Sequence, residues 1–314
     1  MHPAYSVIFF TVASGTGYGL LFLLALLWLA GGLPTDLWFG LVSLALSLGL
    51  IGFGLLSSTF HLGHPERAWR AFSQWRTSWL SREGVLAVAS FPPALALAYG
   101  RLWTEASWWP LAAAITLMLA IATVFATSMI YQSLRPIRQW HNGWVAPAYL
   151  TLALMGGALW LNLLTMLFGI GNSRWAWLAL AAVVLAVVVK WRYWRSIDLG
   201  RSASTPETAT GLGAIGKVRP LDPPHTEENY VQKEMGFRIA RKHATKLRWT
   251  AVLLGFVVPA VFSAIGIVLP GGVVAALSAL LAIAGATAGL LLERWLFFAE
   301  ARHTVTLYYG AEAV

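Results

Sequence analysis

Cysteine is absent from the 314 residues. That excludes disulfides, thiolate-ligated iron–sulfur clusters and covalently attached c-type haem, so a metal redox centre built by this protein would have to use histidine. Charge is scarce as well. Only 11% of residues are Asp, Glu, Lys or Arg, and 58% are hydrophobic, whereas soluble domains carry about 25% charged residues. The shortage is concentrated in apolar runs of about 20 residues, the length that crosses a hydrocarbon core of about 30 Å. A water-soluble globular protein is therefore excluded. No basic leader precedes the first run: "MHPAYSVIFF" continues as apolar sequence past residue 25 and reads as a retained first helix.

Eight spans are predicted, at Val7–Ala30, Leu37–His61, Gly84–Gly100, Leu111–Tyr131, Ala146–Phe168, Trp175–Val189, Trp249–Leu269 and Gly271–Leu292. The runs are continuous rather than alternating, which selects helices over a barrel. The expected fold is all-α: one eight-helix membrane domain over residues 1–314, with a long loop at about 191–248. Trp and Tyr cluster at span ends, as in "WWP" at Trp108–Pro110 and "KWRYW" at Lys190–Trp194, as interfacial belts do. With eight spans, both termini and loops two, four and six share one face, which receives 20 of the 22 Lys and Arg residues; Arg101 and Arg174 are left on the other. The positive-inside rule makes the basic face cytoplasmic. This asymmetry accounts for the net charge of +9 without nucleic acid.

Loop six is the one sizeable hydrophilic segment. Its first half is rich in Gly, Pro and Thr and reads as irregular; its second half, from about Glu227, has helical spacing with a basic end. "GLGAIG" at Gly211–Gly216 matches G-x-G-x-x-G, but a dinucleotide fingerprint needs a strand before it and a helix after it. Neither is expected here, so the match reads as flexible loop.

All seven histidines and eleven of the thirteen acids fall on the basic face. The spans are expected to be nearly free of ionisable groups, which disfavours a transporter with a midplane site. Chemistry is expected at one surface, above all in "SSTFHLGHPERAWRAFSQWRTSWLSREG" at residues 57–84, which packs four Arg, two His, two Glu and three Trp into one connection. His61 ends span two and Glu83 opens span three. An imidazole and a carboxylate in a partly apolar setting suit proton exchange with a quinone. Trp75 and Trp79 are candidate walls, and Arg67, Arg70, Arg76 and Arg82 candidate partners for a carbonyl or an acidic protein. A topological explanation competes: arginine is ordinary on a cytoplasmic loop, interfacial tryptophan is common, and Glu83 at a helix start is favoured by the helix dipole. Glu293, Arg294 and His303 in "ERWLFFAEARHTVTLYY" either line a pocket or cap the last helix. Arg135 and Arg138 read as docking or topology residues. Histidine placement does not support a two-haem path across the membrane; a single haem near the basic face stays open.

"MHPAYSVIFFTVASGTGYG", "STFHLGHPERAWRAF", "TSWLSRE" and "ERWLFFAEARHTVTLYYG" resemble the membrane anchor subunits of the dimethyl sulfoxide reductase family. The resemblance implies an eight-helix anchor without haem, partnered by an iron–sulfur subunit and a molybdopterin catalytic subunit. It also assigns quinone binding to His61 and Glu83. Cytoplasmic placement of the loaded loops and the long loop six are more similar to the branch that oxidises sulfite in the cytoplasm and passes electrons to quinone. The alternatives are an anchor that oxidises menaquinol for a dimethyl sulfoxide reductase-type enzyme and a passive tether with no quinone site.

Overall fold

The computed structural model describes residues 5–59, 62, 64–200, 204–222 and 238–314. Among them there is no strand, and eight helices are long and apolar enough to cross a membrane. They are α1 (Tyr5–Leu29), α2 (Leu37–Thr59), α3 (Trp79–Leu102), α4 (Trp109–Gln132), α5 (Val145–Leu167), α6 (Ser173–Leu199), α7 (Ala244–Val268) and α8 (Gly272–Ala299). The molecule is a multi-pass, all-helical membrane protein.

Helices α3, α6, α7 and α8 each extend five or more residues beyond the spans read from hydropathy. Ser78 caps α3 by accepting the Ser81 N–H, so the helix starts at Trp79 and Glu83 lies a full turn inside it. Residues α6 adds beyond Val189 carry Lys190, and those α8 adds beyond Leu292 carry Glu293 and Arg294. The apolar pattern stops at those charges, but the helices do not, because the charges find partners within the bundle. The connection after α6 is correspondingly shorter than the expected loop. It holds a one-turn helix, Pro206–Thr210, opened by a capping box on Thr205 and closed by Gly211 at φ 72°. "GLGAIG" follows as turns, with no strand ahead of it. Residues 223–237, which include the start of the expected basic helix, lie outside the described residues; helix is present at Arg238–Lys242 and again from Ala244.

Helices α1 and α5 form the centre of the bundle and are the most enclosed. Their backbones nearly touch: a Cβ at Gly19 would overlap the Ala153 carbonyl oxygen, and one at Gly157 would overlap the Gly19 carbonyl carbon. In lipid, where apolar burial does not drive helices together, such close approach of small residues supplies the packing attraction. The outer surface is apolar, with Trp38, Phe53, Leu111 and Met118 exposed, as a lipid-facing wall requires. Helix α7 contains a π turn at Leu253–Val257.

Candidate functional site

Glu83 sits on the inward face of α3 and is 5% exposed. Thr127, on the neighbouring α4, donates its hydroxyl to Glu83 Oε1. A buried carboxyl is expensive unless paired or hydrogen-bonded, and here Thr127 makes that bond. Beside it lies a cavity of about 450 Å³, within the size range of small-molecule sites. Its walls come from α1 (Val7, Phe10), α2 (Leu55, Leu56), the 3₁₀ helix Pro65–Phe72 (Ala68, Phe72), α3 (Leu80, Gly84, Ala87) and α4 (Ile130, Tyr131). Three lining side chains, Leu56, Leu80 and Val88, are also exposed on the lipid-facing surface. The cavity is therefore apolar, open towards the bilayer and supplied with one carboxyl group.

The other residues expected at the site are placed differently. His61 lies outside the described residues; Thr59 and Leu62, on either side of it in the sequence, both line the cavity. Arg67 and Arg70 are exposed on the 3₁₀ helix, Arg67 3.6 Å from Glu66 and Arg70 over the Trp69 ring. Trp75 is exposed, with Arg76 over its ring. Trp79 meets Phe125 edge to face and carries Arg82 over its ring at 4.3 Å. Arg82 also donates to the carbonyl oxygens of Trp75 (3.1 Å) and Arg76 (2.6 Å), tying the loop to α3. None of Arg67, Arg70, Trp75, Trp79 and Arg82 lines the cavity; its aromatic walls are Phe10, Phe72 and Tyr131. A tryptophan at an interface packs its body on neighbouring helix and leaves its N–H wet, which turns these rings outward.

The expectation of an interior nearly free of charge needs correction. Lys190 and Glu293 are each 1% exposed and Arg294 3%. Glu293 accepts from Arg294 at Nε (2.5 Å) and Nη2 (2.8 Å) and from the Lys190 ammonium. The Arg294 guanidinium lies 4.3 Å from the Tyr149 ring centre, and the Lys190 ammonium 3.9 Å from that of Tyr193. One carboxylate and two aromatic faces thus compensate two buried cations. The signal in the sequence was an aromatic beside each charge, in "KWRYW" and "ERWLFF", which at a span end reads equally well as an interfacial belt.

The two buried polar groups approach each other. A second cavity, of about 30 Å³, is lined by Thr11, Ser14, Thr16, Thr127, Tyr149 and Arg294 among others. Several of its lining side chains are polar, and it is large enough for a water molecule. Thr127 thus touches both Glu83 and this space, while Tyr131 of the larger cavity stacks on Tyr149 at 6.0 Å. The described histidines lie elsewhere: His64 bonds to Glu66 (3.0 Å), His141 to the Gln132 carbonyl oxygen (2.7 Å), His243 directly precedes α7, and His303 stands edge-on to Trp140. Among the described residues, no three His, Asp or Glu side chains are grouped to hold a metal ion.

The fold and the cavity define a class: a helical membrane subunit with a carboxyl-bearing cavity that opens to lipid at one end of the bundle. Residues 1–299 match the family model for the DMSO reductase anchor subunit (DmsC). The protein is 34% identical to the C subunit of sulfite dehydrogenase from Allochromatium vinosum over 337 aligned positions, covering both proteins in full. It is 29% identical to the C component of the anaerobic dimethyl sulfoxide reductase of Escherichia coli over 152 positions, which cover 45% of this protein and 49% of that one. The protein belongs to the DMSO reductase anchor-subunit family and is the membrane anchor of an enzyme of that family.

Proposed function

We propose that this anchor is the quinone-reactive subunit of a molybdoenzyme that oxidises sulfite in the cytoplasm. The observation that carries the reading is the lipid-facing cavity of about 450 Å³ with buried Glu83 in its wall. Its fit to a quinone rests on three features: apolar walls for the ring and tail, an opening on the bilayer, and a carboxyl held by Thr127. A bound quinone supplies two-electron, two-proton chemistry. Glu83, hydrogen-bonded by Thr127, exchanges a proton at the quinone oxygen, and His61 is the second candidate proton group. The sulfite assignment is supported by full-length similarity to the Allochromatium vinosum protein.

In this reading the protein is one domain in the inner membrane of a bacterium, with both termini and loops two, four and six in the cytoplasm. The partners are an iron–sulfur subunit, which delivers electrons, and a molybdopterin subunit, which oxidises substrate. Arg67, Arg70 and Trp75, exposed on loop two, belong to the docking face. Arg82 joins that loop to α3, with Trp79 packed beneath its guanidinium.

Glu83→Gln tests the proposal. The variant complex should assemble and keep activity with a soluble artificial acceptor, while quinone-linked turnover is lost. Retained quinone turnover would remove Glu83 from the mechanism; parallel loss of assembly and both activities would favour a passive tether.

A further inference from the structure

A groove separate from the Glu83 cavity lies between α6 and α7. Helices α6 and α7 pack closely along Val258–Val268 but separate towards the face that carries loop six. The resulting groove, of about 600 Å³, is lined by Val187, Val252 and Phe256 below and, nearer the loop-six face, by Trp191, Trp194, Arg195, Asp198, Arg248 and Trp249. The π turn at Leu253–Val257 contributes Phe256 to it; such turns are frequent at functional positions.

One exposed cation and one buried donor in the wall stand at the groove without an acceptor among the described residues. Trp194 is nine-tenths buried, yet its indole N–H has no hydrogen-bond partner among the described residues. An indole N–H can only donate, so it calls for an acceptor. Arg195 is exposed and stacks beside Trp191 at 5.3 Å, with no carboxylate partner among the described residues. Arg248, by contrast, is committed: it bonds Asp198 at 2.7 and 3.1 Å and Glu300 at 2.6 Å. The open charge of the groove is therefore positive. Trp191 and Trp249 flank it, both more than half exposed, at the level where amphipathic rings meet lipid headgroups.

We propose that this groove is a binding site for one anionic glycerophospholipid. Its phosphodiester accepts from the Arg195 guanidinium and the Trp194 indole N–H, and its acyl chains lie on Val187, Val252 and Phe256. Basic pockets between membrane helices on the positively charged side recognise headgroups in this way, and guanidinium matches phosphate geometry. The lipid fills the gap between α6 and the first turns of α7. The site is independent of the quinone reading, since it shares no residue with the Glu83 cavity.

The test is native mass spectrometry of the purified complex, titrated in detergent with dioleoylphosphatidylglycerol or dioleoylphosphatidylcholine. The wild type should bind one phosphatidylglycerol more tightly than phosphatidylcholine. Arg195→Gln should weaken phosphatidylglycerol about fivefold, the effect of one cation at a headgroup, and leave phosphatidylcholine unchanged. Trp194→Phe, which removes only the donor, should weaken it about threefold. Arg174→Gln, at the other end of the bundle, should have no effect. Equal binding of the two lipids by the wild type, or unaltered binding in Arg195→Gln, would overturn the proposal. So would displacement by inorganic phosphate alone, which marks a free-anion site, or by decylubiquinone, which marks a quinone groove.

Discussion

Replacing Glu293 by glutamine asks how the buried ionic cluster is held. The carboxylate is 1% exposed and contacts two cations, Lys190 and Arg294, that are themselves at 1% and 3%. Formal charges in the native cluster sum to one positive. Glutamine raises that to two, with no anion in contact. Removing one partner of a buried ion pair costs about 3–5 kcal/mol, a large fraction of the roughly 5–15 kcal/mol that holds a typical protein folded. Lys190→Met shifts the charge the other way: it removes the surplus cation and leaves Glu293 bound to Arg294 through two hydrogen bonds. Its cost should be that of a lost hydrogen bond to a charge, about 1.5–3 kcal/mol, offset by relief of like-charge repulsion. The assay is thermal unfolding of the purified protein in detergent, followed by loss of the monodisperse peak on size exclusion. At about 2–4 °C per kcal/mol, Glu293→Gln should lower the midpoint by roughly 6–20 °C and Lys190→Met by clearly less. Equal losses in the two variants, or an unchanged midpoint in Glu293→Gln, would refute charge balance as the reason these residues sit together.

Four other outcomes are expected. Thr127→Val keeps the shape of the wall but removes the donor to Glu83; quinone-linked turnover should fall about tenfold relative to artificial-acceptor activity, as for a lost hydrogen bond to a charged group. Gly157→Val forces a side chain into the Gly19 backbone and should cost about 1–3 kcal/mol or more by overpacking, seen as a lower unfolding midpoint. Gly49→Ala, where nothing stands within 4 Å of a new Cβ, should be silent. His303, beyond the end of α8, is pushed below the ordinary 6.5 by burial and then by Arg241. Its folded form therefore binds fewer protons than its unfolded form, so stability rises with pH through this window and is lost as pH falls below about 6.5. His303→Gln should flatten that acid limb in a pH series of unfolding midpoints.

The bundle itself was legible because a hydrocarbon solvent imposes a strong rule: about 20 apolar residues per crossing, all backbone groups paired within the helix. That rule locates helix interiors well and helix ends poorly. It placed Glu83 at the mouth of α3, whereas the Ser78 cap sets it one turn inside and buried. It stopped α6 and α8 at Lys190 and Glu293 because a lone charge is costly in lipid. The compensation that permits those charges comes from a helix more than one hundred residues away in sequence, and no local window contains it. The Glu83 position was visible from chemistry, as the one carboxylate beside a span in a loop dense with polar residues. Its walls were not: Phe10 and Tyr131 reach the cavity from α1 and α4, while the nearby tryptophans turn outward.

Among the described residues, the placement of the buried charges still follows one pattern. Glu83 lies near the start of α3, Lys190 near the end of α6, and Glu293 with Arg294 near the end of α8, and all three ends meet the face that carries loops two, four and six. Of the 20 basic residues read at that face, Lys190 and Arg294 are in fact inside the bundle, yet still in its adjoining half. Towards the other face, α1, α2, α4 and α5 carry no ionisable side chain other than tyrosine. Among the described residues, a proton that left Glu83 for that face would meet no carboxyl or imidazole along these four helices. In the proposed reading, electrons from the iron–sulfur partner and protons for the quinone therefore use the same face, and turnover moves no net charge across the bilayer. Proteoliposomes containing the complex, sulfite and quinone should accordingly show quinone reduction with no membrane potential, read with a potential-sensitive dye. A potential that collapses with an uncoupler would require a path through that apolar half and would overturn the one-sided arrangement.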